Sequence, residues 1–190
     1  MPGSPASATS ILLWDAYCRD CPNLLAEQLA ATTNPAYAET GRRVHLIGHS
    51  LGGIVARCAA VRMPDRIASV TTLGSPFWGL VVHGAILRLG NLVRRRIRHR
   101  HQNLPEGCAT SRCSCAFGRS LRRKRPRSVG QTAIYTRTDG IVDWRYCRSG
   151  NPSIDVEVGG THVGLIFNSD TYLHLAERLA TRSEKPLRSS

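Results

Sequence analysis

A serine between glycines is the feature that most constrains this chain, because residues 48–53 read GHSLGG. A short and mostly apolar run at residues 43–47 precedes this segment and predicts a buried parallel strand. Residues 51–62 follow and predict a helix that ends before a proline. Ser50 therefore lies at a sharp turn from a strand into a helix.

A serine hydroxyl is a useful nucleophile only when a base takes its proton and its oxygen is held clear of the backbone. A strand-to-helix turn does the second job, and its crowding requires small residues at the positions of Gly48 and Gly52. The N–H of Leu51, at the start of the helix, would be one donor to an oxyanion. An incidental glycine-rich turn is the alternative, but the flanking strand and helix favour Ser50 as a nucleophile.

The rest of the chain alternates predicted strands with predicted helices. Further strands are predicted at residues 67–73, 132–136 and 154–158. Helices are predicted at residues 23–31, with Asn23 as N-cap, and at residues 169–178. The last strand alternates in polarity, which predicts a solvated side chain for Asp155. This alternation is typical of an α/β protein with a parallel sheet.

The net charge of +13 is concentrated in one segment. Between His83 and Arg127 there are 13 Lys or Arg residues against one acidic residue, Glu106. The part from Arg94 to Arg127 contains few large hydrophobic residues, and such a stretch cannot bury enough apolar area to offset its ordering entropy. We therefore predict a cap-like insertion with a poorly packed, mobile basic portion.

This basic segment, Arg94 to Arg127, has two candidate partners, an anionic membrane surface and nucleic acid. It contains one Phe, Phe117, and no Trp or Tyr, so stacking on nucleic-acid bases is poorly supported. Basic residues near an anionic membrane contribute about 1 kcal/mol each. A lipid surface is thus the favoured partner and nucleic acid is disfavoured, while a solvated loop without a partner is the simpler alternative.

Cysteine spacing gives no sign of a metal site. Cys108, Cys113 and Cys115 follow the pattern C-x4-C-x-C, with His99 and His101 nearby. This spacing matches no common structural zinc site, and a disulfide or free thiols fit it better. We predict no bound metal.

The composition shifts along the chain predict its organisation. We expect an irregular N-terminal segment at residues 1–22, a core formed by residues 23–78 and 129–182, a cap-like basic insertion at residues 79–128 and a disordered tail at residues 183–190. The longest apolar run near the N-terminus is too short for a signal peptide, and no stretch approaches the roughly 18 apolar residues of a membrane span. The sequence as written predicts a cytoplasmic protein, unless an upstream signal is missing.

Four motifs together resemble the α/β-hydrolase superfamily, and within it bacterial lipases and esterases. They are VHLIGHSLGG at residues 44–53, VTTLGSP at 70–76, IYTRTDGIV at 134–142 and GTHVGL at 160–165. The resemblance implies the α/β-hydrolase fold, a mostly parallel sheet flanked by helices. It also implies hydrolysis of carboxylic esters, including lipids, through an acyl-enzyme on Ser50, with no cofactor.

A catalytic triad needs a histidine base and a carboxylate that orients it. His162 lies in a glycine-rich loop after the last strand and is the best candidate base, whereas His49 is expected to pack locally. The candidate carboxylates are Asp139, in a tight turn after a strand, and Asp143. The family motif favours Asp139, which gives the chain order Ser50, Asp139, His162 that this fold uses.

The sequence departs from the family before the elbow. The family's second oxyanion donor comes from an upstream loop usually marked by His-Gly, and the 49 residues before Ser50 contain no such motif. The early strands of the sheet also have no counterpart. The resemblance therefore predicts an N-terminally truncated hydrolase whose activity the sequence leaves open. The alternative is a catalytically impaired remnant that binds an anionic lipid surface.

Overall fold

The computed structural model describes residues 22–77 and 115–183. Its sheet has four strands in the described residues: β1 (Val44–His49), β2 (Ile67–Leu73), β3 (Gly130–Tyr135) and β4 (Asp155–Glu157). They lie in the order β1-β2-β3-β4, and every neighbouring pair is parallel. Leu73 at the end of β2 is in register with His49 of β1 and Ile134 of β3, so the carboxyl ends of these strands meet at one edge.

The helices and short turns complete the chain order. They are α1 (Pro22–Thr40), α2 (Leu51–Arg62), α3 (Ala116–Arg122) and α4 (Ser169–Ser183), with 3₁₀ turns at Trp144–Cys147 and Gly164–Ile166. The predicted bounds of α2 and β2 are confirmed to the residue. The α/β class with a parallel sheet is confirmed as well.

The first helix differs from its prediction at both ends. Asn23 is not an N-cap but lies inside α1, where its side chain donates to Glu27 at 2.7 Å and accepts from Arg62 at 2.7 Å. The helix also continues through Pro35 to Thr40. A proline weakens a helix locally, but a buried face that includes Leu25 and Thr33 holds α1 in place by tertiary packing.

Helices cover both faces of the sheet. On one face, small residues of α2 such as Ala56 and Ala60 pack on Leu46 and Val70 of the strands. Successive side chains of a strand alternate between faces, so Leu73 of β2 points the other way. There it forms a second cluster with other apolar residues, which are Ile134, Val158, Leu165 and Leu175 of α4. Both faces are therefore covered at β2 and β3, whereas Ile47 of β1 is 48% exposed.

The predicted poor packing of the basic segment is wrong for its last part. Helix α3 buries Phe117 in a cluster with Leu25 of α1 and Ile54 of α2, and Arg62 donates to the hydroxyl of Ser120 at 3.2 Å. A single aromatic residue is enough to pack α3 against the core because α1 and α2 already provide an apolar surface. The basic residues of this part, by contrast, are mostly exposed.

Several sequence predictions fall on residues that the structure leaves undescribed. These are most of the N-terminal segment, residues 79–114 of the insertion and most of the tail. Within residues 22–77 and 115–183, no helix combines the length and the hydropathy needed to cross a bilayer.

Candidate active site

Ser50 has a strained backbone at the carboxyl end of β1. Its φ of 52° and ψ of −120° make it the one non-glycine residue with positive φ among those described. Such conformations cost about 1–3 kcal/mol and persist only where the surroundings enforce them. Here the Ser50 N–H donates to the Leu73 carbonyl at 2.9 Å, and its side chain does not cap α2. The turn therefore presents a serine whose hydroxyl the helix does not use.

Crowding at this turn falls on Gly48 and Gly53, and the crowding predicted at Gly52 is not found among the described residues. A Cβ on Gly48 would lie 2.4 Å from the Gly53 nitrogen, and a Cβ on Gly53 would lie 2.1 Å from the Ser75 hydroxyl. A Cβ on Gly52 would have no described atom within 4 Å. Gly53 therefore lies tightly against Ser75, which follows β2, and against the Gly48 carbonyl.

His162 and Asp139 form a buried pair. The Nδ1 of His162 lies 2.6 Å from Oδ2 of Asp139, and both residues are less than a tenth exposed. The other oxygen of Asp139 accepts from the N–H groups of Ile141 at 2.9 Å and Val142 at 2.8 Å. Burial acts to raise the pKa of Asp139, but these hydrogen bonds, His162 first, outweigh burial and hold the pKa below its ordinary value. An ionised Asp139 can thus orient a neighbouring imidazole.

The other two carboxylates do not reach His162. Asp143 accepts from the backbone N–H of Arg145 at 3.0 Å and pairs with its guanidinium at 3.3 Å. Asp155 is predicted to be solvated, but its side chain is only 4% exposed. It accepts from the N–H groups of Ser149 at 2.8 Å and Gly150 at 3.0 Å. The carboxylate therefore binds the backbone of the loop before β4. Strand periodicity does not predict this contact.

Residues that follow all four described strands meet at this edge. Gly74 follows β2 with a φ of 55°, and a Cβ there would lie 3.1 Å from His162 Nδ1 and 3.2 Å from Asp139 Oδ2. Ser50, which follows β1, is bound through its N–H to the last residue of β2. The structure thus brings the elbow, the Asp139 turn and the His162 loop to one place, as the carboxyl ends of parallel strands do.

Known proteins resemble this chain in part of its sequence and in its fold. A sequence model for the alpha/beta hydrolase fold matches residues 40–103. A meta-cleavage product hydrolase from Pseudomonas fluorescens superimposes with a TM-score of 0.53 at 14% identity, over 95% of this chain and 76% of that chain. A monoacylglycerol lipase from Paleococcus ferrophilus does so with a TM-score of 0.52 at 14% identity, over 86% and 77%. The family model covers about a third of the chain, and the superpositions show that the chain has the α/β-hydrolase fold.

Two curated relatives of this chain are triacylglycerol lipases. Those of Pseudarthrobacter phenanthrenivorans and Burkholderia plantarii are each 48% identical to it over 61 residues, which is 32% of this chain. The matches span 19% and 17% of the two lipases, so they cover less than a fifth of either.

His49 contacts the loop that carries His162, a contact that sequence reasoning missed. Its Nε2 lies 2.9 Å from the backbone carbonyl of His162, and the two rings have centroids 4.6 Å apart. The sequence predicts local packing for His49, but its partner is 113 residues away in the chain. No spacing or periodicity signals such a contact.

Further hydrogen bonds hold the loop that carries His162. The hydroxyls of Thr136 and Thr138 donate to the carbonyl of Gly160, the first at 2.8 Å. The side-chain amide of Asn168 donates to the carbonyl of Gly159 at 2.7 Å. The loop is therefore fixed to the Asp139 turn on one side and to the start of α4 on the other.

Two further predictions concern the oxyanion donor and a possible metal site. Leu51 is the first residue of α2, so its N–H has no acceptor within the helix and is available at the elbow. Within the described ranges, no group of three or more His, Cys, Asp or Glu residues could hold a metal ion. Cys108, Cys113, His99 and His101 lie outside these ranges.

Proposed function

We propose that this α/β-hydrolase cleaves carboxylic esters through an acyl-enzyme on Ser50, with His162 as base and Asp139 as the carboxylate that orients it. The observation that carries the proposal is the buried hydrogen bond of 2.6 Å between His162 and Asp139, at the sheet edge where Ser50 has its strained conformation. A polar pair removed from water in this way is costly unless it is fully bonded. Its place at the same sheet edge as a strained serine supports catalysis over a purely structural role.

The proposed chemistry begins with proton transfer. The Nδ1–H of His162 donates to Asp139, which leaves the lone pair of Nε2 to accept the Ser50 proton. As the proton moves, Oγ bonds to the carbonyl carbon of the ester, and Asp139 stabilises the imidazolium that forms. His162 then returns the proton to the departing alcohol oxygen as the ester bond breaks. Water attacks the acyl-enzyme with the same base, which releases the acid and restores Ser50.

The tetrahedral intermediate carries a negative oxygen that needs a donor. The N–H of Leu51 is suited to this task because it belongs to the first turn of α2, where the helix dipole also favours negative charge. One donor of this type is worth about 10²–10³ in kcat.

The substrates we propose are lipid esters and simpler carboxylic esters. The relatives named triacylglycerol lipases support this class. Acyl transfer to an alcohol and thioester hydrolysis would use the same residues, so the test includes product analysis with ester and thioester substrates.

A fluorophosphonate probe tests the nucleophile directly. We expect covalent labelling at Ser50, observed by peptide mass spectrometry, and loss of labelling in Ser50→Ala. Ser153→Ala is the matched control, since this exposed serine lies in the turn before β4, and it should label as the wild type does. Labelling that persists in Ser50→Ala would remove Ser50 as the nucleophile. No labelling of a folded wild-type sample would instead favour a hydrolase remnant that binds an anionic lipid surface.

A further inference from the structure

His49 joins the nucleophile elbow to the loop of the proposed base. It is the residue immediately before Ser50, and its ring nitrogen Nε2 lies 2.9 Å from the backbone oxygen of His162. A carbonyl oxygen only accepts hydrogen bonds, so Nε2 of His49 carries the hydrogen and donates it. The tilted rings, with centroids 4.6 Å apart and planes at 51°, add a packing contact.

We infer that His49 is a positioning residue, which fixes the backbone of His162 relative to Ser50 and so holds the base at the nucleophile. This inference rests on the proposed ester hydrolysis. Asp139 fixes only the ring of His162, through Nδ1. The ring can still shift with its backbone, and a base displaced by about 1 Å can lose about 10²-fold in rate.

The other bonds to this loop do not replace the one from His49. Thr136 and Thr138 hold the carbonyl of Gly160, and Asn168 holds that of Gly159, both of which precede His162. Those three side chains come from the strand-end turn after β3 and from the start of α4. Among the bonds described here, the one from His49 alone connects the loop to the elbow by a side chain, and it acts on His162 itself.

The neutral form of His49 suits this role. Burial is the largest influence and lowers its pKa, partly offset by the bond to the His162 backbone. An uncharged imidazole with hydrogen on Nε2 provides one donor and introduces no second cation beside the imidazolium that would form on His162. A nonpolar side chain of similar size would keep the packing and leave the carbonyl of His162 without its donor.

Two substitutions separate the donor from the ring. His49→Phe keeps an aromatic ring and removes the donor, and His49→Gln keeps a donor amide and removes the ring. We expect His49→Phe to lower kcat for a soluble short-chain ester by about 10²-fold, with KM changed less than about twofold. His49→Gln should recover most of that loss. His45→Gln is the control, because His45 lies on the same strand and bonds to Ser69 at 2.7 Å, and it should leave kcat unchanged.

A measurement that needs no turnover keeps this inference separate from the proposed function. The Nδ1–H proton of His162, bonded to Asp139, should give a downfield NMR resonance in Ser50→Ala protein. We expect that resonance to persist when His49→Gln is added and to broaden by exchange or vanish when His49→Phe is added. An unchanged resonance in the Phe variant, or unchanged kcat in an active enzyme, overturns the positioning role. If the wild type shows neither labelling nor turnover, the hydrolase proposal is refuted. The NMR comparison would still decide the role of His49.

Discussion

Both carboxylate oxygens of Asp139 are hydrogen-bonded: Oδ2 to the ring of His162 at 2.6 Å, and Oδ1 to the backbone of its own turn. The backbone bonds fix the carboxylate independently of the histidine, so the turn orients the ring. Because the folded pKa of Asp139 lies below its ordinary value of 3.8, the folded state binds fewer protons near that pH than the unfolded state does. Its stabilising contribution is therefore complete above the ordinary pKa and is lost as the pH falls through the folded one.

The first prediction compares two carboxylates that are four residues apart. Asp139→Asn should lower kcat for a soluble ester by about 10⁴-fold, because the amide favours the wrong histidine tautomer. Asp143→Asn should change kcat by less than about threefold, since Asp143 bonds to Arg145 and not to His162. Steady-state kinetics on both folded variants measures the difference. A larger loss in Asp143→Asn than in Asp139→Asn would reassign the third member of the triad.

The second prediction concerns the two adjacent glycines of the elbow. Gly53→Ala would bring a Cβ to 2.1 Å from the Ser75 hydroxyl and 2.8 Å from the Gly48 carbonyl, and such overpacking costs about 1–3 kcal/mol or more. Gly52→Ala meets no described atom within 4 Å and should raise the free energy of unfolding by about 0.5–1 kcal/mol, as alanine does inside helices. Urea denaturation of the two variants checks the order of stability. The reverse order would show that the crowding lies at Gly52.

Part of the fold could be predicted from local sequence alone. Helix α2 and strand β2 match their predicted bounds to the residue, because each is a mostly apolar stretch that ends near a proline or a glycine. The turn that carries Asp139 and the loop that carries His162 were also located, since both follow apolar strands and contain glycines. These features depend on neighbours within a few residues.

The contacts that could not be predicted are made by residues far apart in the chain. His49 bonds to a loop 113 residues away, and Phe117 finds its apolar surroundings on α1 and α2. Asp155 follows strand periodicity that predicts solvent, yet backbone N–H groups of the preceding loop surround it. Periodicity reports which face a side chain takes and does not report what another segment places against that face.

The third prediction follows from the strained backbone of Ser50. Its φ of 52° and ψ of −120° suit glycine far better than a residue with a Cβ. Ser50→Gly should therefore be more stable than Ser50→Ala by about 1 kcal/mol, after the larger entropy of unfolded glycine is subtracted. Thermal and urea denaturation of both variants, neither of which should label with fluorophosphonate, provides the measurement. Equal stabilities would mean that the elbow relaxes when the hydroxyl is removed.

The last prediction addresses the basic segment after α3. Arg123, Lys124 and Arg127 are exposed, and basic residues near an anionic membrane contribute about 1 kcal/mol each. We expect the protein to bind vesicles that contain phosphatidylserine, and substitution of all three residues by Gln should weaken that binding by about 10²-fold. Arg137→Gln is the matched control, because Arg137 is already paired with Glu157 at 2.9 Å, and it should bind as the wild type does.

Salt tests the electrostatic cause of that binding. The screening length falls from about 8 Å at physiological ionic strength to roughly 3 Å at 1 M, so 1 M salt should release most of the protein from vesicles in a sedimentation assay. Turnover of a soluble short-chain ester should be unchanged in the triple Gln variant, since these residues follow α3 and lie outside the Ser50 edge of the sheet. Vesicle binding that ignores both salt and the substitutions would contradict the electrostatic account. Loss of soluble-ester turnover in a folded triple variant would instead connect the basic segment with the active site.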